Sequence, residues 1–403
     1  MRKIAIIGQG YVGLTIAMYA SEFFKVIGFD TNKKLVDSIN QGRSHIEGIT
    51  ESRLIEALKS GKYMASEDPT EINGSEVVVI AVPTPLDSER KPDLSYIDKA
   101  CEIIGNNLTD SALIINESTS FPGTLRNYIK PRVEKNLHNS QIRLSYASSP
   151  ERVDPGQSEW NQINTPRLFA GLDPKATKLT RDFYGLFCTK LIEVTTPEVA
   201  EAAKLFENTF RQVNIALVNE FAQIAHTLGI SVRETLEAAN TKPFGFMKFN
   251  PSAGVGGHCI PVDPTYLAMV AKNNGAQADF IELANKVNLD MAKYIVKRIK
   301  NDNGGNLTNK KIQIVGVAYK PNVSDVRETP AEQIYNQLVQ EGCFVSWYDP
   351  LVSSWIDTKS DSNLGSDLGV VVTPHDCIVK EDIRSKFNYL FDTSGLIYSA
   401  TQL

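Results

Sequence analysis

The stretch Gly254-Val255-Gly256-Gly257-His258-Cys259-Ile260-Pro261-Val262-Asp263-Pro264 brings together the residue types of nucleophilic catalysis. Three glycines crowd a cysteine, and Asp263-Pro264 opens an apolar helical run. Glycine leaves room for a substrate against the backbone. A thiolate just ahead of a helix N-terminus is favoured by the positive end of the dipole. The competing reading of any one cysteine is a small buried hydrophobe. That reading serves for Cys101, Cys188, Cys343 and Cys377, which have no such surroundings. Asp263 also suits a helix N-cap, with Pro264 at the first helical position. His258 offers a base, although adjacent side chains often point apart.

Near the start, Gly8-Gln9-Gly10-Tyr11-Val12-Gly13 follows a predicted strand and opens a predicted helix. Gly8 permits a tight turn, Gly10 lets a pyrophosphate approach the backbone, and Gly13 lets helix and strand pack closely. The free N–H groups of the helix start then face the phosphates. The next strand ends at Asp30, 22 residues after Gly8. An acid there accepts the ribose hydroxyls and repels a 2′-phosphate, so NAD is expected rather than NADP. Gly316-Val317-Ala318-Tyr319-Lys320 follows a later strand without a glycine trio. A second dinucleotide held in the same way is not expected there.

These segments need a frame. Lys3–Ile7, Val26–Phe29, Val77–Val82, Ala112–Ile115 and Ile142–Ala147 read as buried strands separated by helix-length segments. That is a βαβ series and a parallel sheet. Beyond Pro197 the pattern becomes one long helix over about 198–228, with Leu205, Phe206, Phe210, Ile215, Leu217, Val218, Phe221 and Ile224 on a wide apolar face. Glu201, Lys204, Asn208, Arg211 and Asn214 form a polar stripe, which spacing alone assigns to solvent. The turn-rich run 301–306 breaks the helices, and strands restart at Lys311–Val315, Phe344–Tyr348, Val370–Thr373 and Tyr389–Asp392. The expected fold class is α/β: two Rossmann-like, doubly wound parallel-sheet domains at 1–196 and 301–403, joined by a central helical domain at 197–300.

Composition agrees with a globular protein. Of 403 residues, 42% are hydrophobic and 22% charged, and 42 Lys+Arg against 47 Asp+Glu leave a net charge of -5. A mildly acidic chain has no general attraction for nucleic acid or anionic lipid. Five cysteines are too few, and odd in number, for a disulfide framework. The apolar run at 4–7 is too short for a signal peptide core, and no run approaches a membrane span. A cytoplasmic protein is expected, with no metal site, no nucleic acid and no membrane partner.

Several further motifs stand in order along the chain: GQGYVGL at 8–14, VPTPLD at 82–87, ESTSFPGT at 117–124, SPERVDPGQ at 149–157, AEAAKLFENTFRQVNIALVNE at 200–220, GVGGHCIPVDP at 254–264 and GVAYKPNVSDVRETP at 316–330. With them the chain resembles the UDP-glucose/GDP-mannose dehydrogenase family, the nucleotide-sugar 6-dehydrogenases. The segments 241–267 and 82–96 look most like the UDP-N-acetylglucosamine 6-dehydrogenase branch, with the UDP-N-acetylmannosamine and UDP-glucose enzymes as alternatives. Ser252-Ala253 and Ser394 depart from that branch's usual residues.

The resemblance implies oxidation of a sugar C6 alcohol to a carboxylate with two NAD+ and one water, for a surface polysaccharide precursor. It makes Cys259 the nucleophile of a thiohemiacetal and thioester. Lys204 and Asn208 handle the developing alkoxide and an ordered water, which overrides the solvated reading of their stripe. Asp263 assists the water or orients Lys204, Glu151 helps hydrolysis of the thioester, and Thr119 lies near the reacting carbon and cofactor. Implied cofactor contacts are Gly8, Gly10, Tyr11, Val12, Gly13, Asp30, Lys34, Thr84, Thr119 and Arg327. Implied substrate contacts are Glu151, Lys204, Asn208, Arg211, Asn214, Phe249, Gly256 and Lys320. The long helix is the implied homodimer seam, with higher oligomers open. Two other readings share the opening fingerprint: a two-electron hydroxyacid dehydrogenase, which would need neither the cysteine loop nor a second α/β domain, and a non-catalytic NAD sensor.

Overall fold

The structure is a computed structural model that describes residues 2–46, 48–139, 141–153, 159–257, 259–361, 363–380, 383–397 and 399–403. His258, and the end of the 149–157 motif from Asp154 on, lie outside the described residues. The chain divides into two compact units, Met1–Glu207 and Asn208–Leu403.

The first unit is built on strands β1 (Lys3–Ile7), β2 (Lys25–Phe29), β3 (Tyr63–Ser66), β4 (Val77–Ile80), β5 (Leu113–Asn116), β6 (Ser145–Ser148), β7 (Arg167–Gly171) and β8 (Leu191–Glu193). They form one sheet in the order β3-β2-β1-β4-β5-β6-β7-β8. Every pair is parallel except β6–β7. Both faces are covered. Along β1, Ile4 and Ile6 enter one apolar core, and Ala5 and Ile7 enter the other. That period of two is why the strand reads as a continuous apolar run.

Strands β3, β7 and β8 are absent from the sequence expectation. They are short, and the runs YMAS, RLFAG and LIE carry little apolar signal. Strand β6 starts at Ser145 rather than Ile142, because its register pairs Ser145 with Leu113, the first residue of β5. Residues 142–144 have no strand beside them.

A helix of 32 residues, Pro197–Leu228, follows close to the expected 198–228. It stops where Gly229 takes a positive φ of 68°, the usual device for ending a helix. The second unit continues with helices Val232–Asn240, Asp263–Asn273 and Asp279–Asp302. Then come β9 (Lys311–Val315), β10 (Phe344–Tyr348), β11 (Ser354–Trp355), β12 (Thr358–Lys359), β13 (Ser366–Val371), β14 (Phe387–Asp392) and β15 (Thr401–Gln402). The second sheet has the order β10-β9-β13-β14-β15, all parallel. Strands β11 and β12 make a separate hairpin. Ile312 and Ile314 of β9 enter one core and Val315 the other. The fold is thus mixed α/β, with a largely parallel sheet in the first unit, a parallel one in the second and a helical region between them in sequence. No described helix is long and apolar enough to cross a membrane.

Candidate active site

In the first unit the expected cofactor residues gather at the C-terminal ends of the strands. Strand order reverses between β1 and β4, and open α/β sheets bind ligands at such a point. Gly8 follows β1, Asp30 follows β2, Thr84 lies beyond β4 and Thr119 beyond β5. The three loop glycines do different work. Gly8 has φ +93°, and a Cβ there would stand 2.6 Å from the Ala81 carbonyl oxygen. A Cβ on Gly13 would stand 1.8 Å from the Gly8 carbonyl oxygen. A Cβ on Gly10 meets nothing within 4 Å. Gly8 and Gly13 are therefore required by the fold, whereas Gly10 keeps space clear in front of the helix Tyr11–Ala20. That helix has Gly10 at its N-cap, no side-chain cap and no acid in its first turn, as a phosphate site requires.

Asp30 is held on the loop. Its Oδ2 accepts from the Gln9 amide at 2.8 Å and its Oδ1 from the Asn32 amide at 2.8 Å. The Gln9 side chain turns inward, donating to the Ile6 and Gly8 carbonyls and accepting from the Tyr63 hydroxyl at 2.7 Å. Gln9 thus pins the loop from below. Open space at Gly10, an uncapped helix start and the carboxylate of Asp30 together fit a dinucleotide. Tyr11 and Val12 are half-buried at the helix start, and Lys34 is exposed in the first turn of the next helix.

Beside this end lies a buried carboxylate cluster. Glu151 follows β6, and its Oε1 accepts the Arg152 and Val153 amides at 2.6 and 2.7 Å. Its Oε2 accepts from Gln162 Nε2 at 2.7 Å and from Arg167 at 2.9 Å. The other arm of the Arg167 guanidinium lies 3.0 Å from Glu117 Oε2. Tyr184 donates its hydroxyl to Glu117, and its ring lies 4.4 Å from the guanidinium. Burial raises both carboxyls, but the two do not titrate alike. Burial pushes Glu117 up to about 7 despite Arg167. For Glu151, burial is outweighed by Arg167, Gln162, the Val153 amide and the charge of Lys204, and it stays below the usual range. Glu117 and Arg167 escape a reading of the sequence. Glu117 sits in a quoted motif, but Arg167 gives no local signal, and only the β6–β7 pairing brings it to the site.

The first part of the polar stripe of the long helix, from Glu201 to Asn208, is not a solvated face. Glu201 is buried and accepts the Gly123 and Leu125 amides at 2.7 and 3.0 Å. Burial pushes its carboxyl up to about 8 against those bonds. Lys204 is half-buried on the same face, within reach of the Glu151 charge. One turn on, Asn208 is buried and donates to Asp263. Arg211 is exposed, and Asn214 bonds back to the Phe210 carbonyl at 2.7 Å. Phe249 packs edge-on against Phe210, with ring centroids 5.9 Å apart.

In the second unit Cys259 is half-buried, unlike Cys101 and Cys188. Its carbonyl accepts the Val262 and Asp263 amides at 3.2 and 2.8 Å, turning the chain into the helix Asp263–Asn273. Asp263 is not the N-cap expected from sequence. Val262 holds that position, and Asp263 is the first helical residue. Its carboxylate accepts from the Asn208 side-chain amide. The loop glycines serve packing. A Cβ on Gly256 would stand 2.9 Å from Tyr319 Cβ and from Pro330, and one on Gly257 would stand 2.8 Å from the Tyr319 ring.

A buried amide chain supports the loop from behind. The Ser252 amide donates to Asn219, Asn219 to Asn288, and Asn288 to the Gln212 carbonyl, at 2.8, 3.0 and 3.1 Å. Lys320 and Arg327 both lie on the segment after β9, again at the point where strand order reverses. The Gly257 amide donates to the Arg327 carbonyl at 3.1 Å. The Arg327 guanidinium is held by Asp325.

Comparison with known proteins bears on the fold and the family. The NAD-binding, central and UDP-binding domains of the UDP-glucose/GDP-mannose dehydrogenase family match residues 2–188, 198–290 and 313–398. The UDP-N-acetyl-D-mannosamine dehydrogenase of Methanocaldococcus jannaschii is 36% identical, over 98% of this chain and 93% of that one. The UDP-N-acetyl-D-glucosamine 6-dehydrogenase of Pseudomonas aeruginosa is 33% identical, over 87% of this chain and 83% of the other. The solved UDP-D-ManNAc dehydrogenase of Pyrococcus horikoshii superposes with a TM-score of 0.89 at 31% identity, over 99% of this chain and 98% of that one. Sequence motifs, fold and comparisons converge: this chain belongs to the UDP-glucose/GDP-mannose dehydrogenase family of NAD-dependent nucleotide-sugar dehydrogenases.

Proposed function

We propose that the protein oxidises the C6 alcohol of a UDP-N-acetylhexosamine to the carboxylate, through a covalent intermediate on Cys259. The observation that carries this reading is a half-buried cysteine at the turn into a helix whose first residue, Asp263, is bonded to Asn208. A simple hydroxyacid dehydrogenase has no use for that arrangement. Gly10 and Asp30 would hold NAD+, which would supply the hydride acceptor for both oxidations. The Cys259 thiolate adds to the C6 aldehyde, and loss of hydride from the thiohemiacetal leaves a thioester that water hydrolyses. Lys204 and Asn208 stabilise the oxyanion that develops at C6. Asp263 fixes the Asn208 amide so that it donates in one direction. Glu151 takes the proton of the attacking water. Lys320 supplies a cation to the UDP pyrophosphate, and Arg327 one to the cofactor phosphates.

Residues 1–196 then serve the cofactor, 197–300 self-association and 301–403 the UDP sugar. Self-association rests on the long helix. Val199, Phe206, Phe210, Leu217, Ile224 and Leu228 are all exposed and fall within about 40° of arc at 100° per residue. Such a stripe is the seam of a helix pair. We infer a homodimer through it.

Among sugars, UDP-N-acetylmannosamine stands first, because relatives up to 36% identical carry that name. UDP-N-acetylglucosamine stands second, on the Pseudomonas relative. Counting NADH per sugar consumed with each epimer tests the reading. Two per sugar, abolished in Cys259→Ala, is the expected result. One per sugar, surviving Cys259→Ala, would overturn the thioester.

A further inference from the structure

We propose that Arg167 is a positioning residue shared between two carboxylates, so that the proton on Glu117 sets how firmly Glu151 is held as an anion. The inference rests on the function proposed above and extends it to residues that contact neither cysteine nor sugar in that mechanism. Its basis is geometric. One guanidinium lies 3.0 Å from Glu117 and 2.9 Å from Glu151, and all three side chains are buried or nearly so. One cation among two anions leaves a net negative charge in a low-dielectric interior, and a single proton removes it.

The donors decide where that proton resides. Glu151 accepts from four: the Arg152 and Val153 amides, Gln162 and Arg167. Glu117 has two partners, Arg167 and the Tyr184 hydroxyl. The proton therefore sits on Glu117, and the opposite displacements of the two carboxyls agree. The charged and titratable groups facing the pair are Arg167 from β7, Tyr184 from the helix Pro174–Tyr184, Cys188 beyond that helix and Lys204 from the long helix.

With Glu117 neutral, Arg167 spends its charge on Glu151, which is then a weak base. With Glu117 ionised, the guanidinium is divided and Glu151 becomes more basic. The step affected is thioester hydrolysis. The water oxygen bonds to the C6 carbonyl carbon, its proton passes to the Glu151 carboxylate, the C–S bond opens and the Cys259 thiolate leaves. No electrons are transferred, so the two hydride steps are not expected to follow the Glu117 proton.

The test is a quenched single-turnover series from pH 6 to 9, with NAD+ in excess over limiting UDP-N-acetylmannosamine. It reads NADH formation and thioester decay separately. In the native protein thioester decay accelerates with pH through an inflection near 7, and the NADH phases lack it. Glu117→Gln, a permanently neutral isostere, loses the inflection and decays about tenfold more slowly than the native protein at pH 8.5. Tyr184→Phe removes a donor that favours ionised Glu117 and moves the inflection to higher pH. If Glu117→Gln keeps the inflection, the proposal fails. Should that variant not fold, an unmoved or acid-shifted inflection in Tyr184→Phe sinks it equally. Absence of NADH from every UDP-N-acetylhexosamine, or one NADH per sugar independent of Cys259, would instead overturn the underlying function.

Discussion

Asp30 directly follows β2 in the first unit, and Asp349 directly follows β10 in the second. The two turns share the same hydrogen bonds at corresponding residues. The Gly8 amide bonds the Phe29 carbonyl at 2.8 Å, and the Gly316 amide bonds the Tyr348 carbonyl at 2.8 Å. The Gln9 amide reaches Asp30 at 2.8 Å, and the Val317 amide reaches Asp349 at 2.7 Å. Gly8 and Gly316 both have positive φ, and a Cβ on either would run into the carbonyl oxygen of Ala81 or Thr373. There the likeness ends. Asp349 also accepts from the Ala318, Leu351 and Val352 amides and from His375. His375 Nδ1 accepts the Asn322 amide at 2.8 Å, so Nε2 carries the proton and donates to Asp349. Asp349 has no capacity left for a ribose. The first glycine of the fingerprint thus belongs to the strand-end turn of either sheet. Gly10, open above an uncapped helix, is the glycine that this turn does not require.

The largest expected effect separates the two acids. Asp349→Ala strands a buried histidine and four amides, and should lower unfolding free energy by about 3–5 kcal/mol in urea titration. Asp30→Ala should cost about 1 kcal/mol or less of stability while raising KM for NAD+ about tenfold or more. Equal destabilisation by the two would break the comparison. Next come the glycines. Gly8→Ala forces a positive φ and a backbone clash, worth about 2–3 kcal/mol in thermal melts. Gly10→Ala should melt like the native protein and lose about tenfold in NAD+ affinity by calorimetry.

The smallest effect concerns acid. His375 and the amides overcome burial and hold the Asp349 carboxyl below its ordinary 3.8. A depressed carboxyl stabilises fully above its unfolded value, and that contribution disappears as pH falls through the folded one. Stability measured from pH 5 to 2 should therefore show an acid-dependent loss in the native chain that Asp349→Asn lacks.

Much of the frame was legible because parallel strands buried on both faces spell themselves out, as in KIAII and KIQIV. The glycine loop and Asp30 were legible because a turn at a strand end needs fixed residue types at fixed offsets. The cysteine loop stood out by composition, although its glycines accommodate Tyr319 and Pro330 as well as any ligand. The carboxylate cluster was not legible. Glu117 and Arg167 are 50 residues apart, and the pair exists only because β5, β6 and β7 are neighbours in one sheet. Spacing also misjudged Glu201. A polar residue every third or fourth position describes a wet face and a buried, hydrogen-bonded face equally well.

The long helix is turned inside out over much of its length. Its buried side carries Glu201, Asn208, Gln212 and Asn219, while Phe206, Leu217 and Leu228 stand 66%, 62% and 65% exposed. Were the proposed homodimer to cover those side chains, dilution would act as a denaturant. Each halving of protomer concentration would then weaken the mass-action term that favours the folded chain. Folding would in that case be a property of the solution as well as of the sequence, and a dilute preparation a less stable material than a concentrated one.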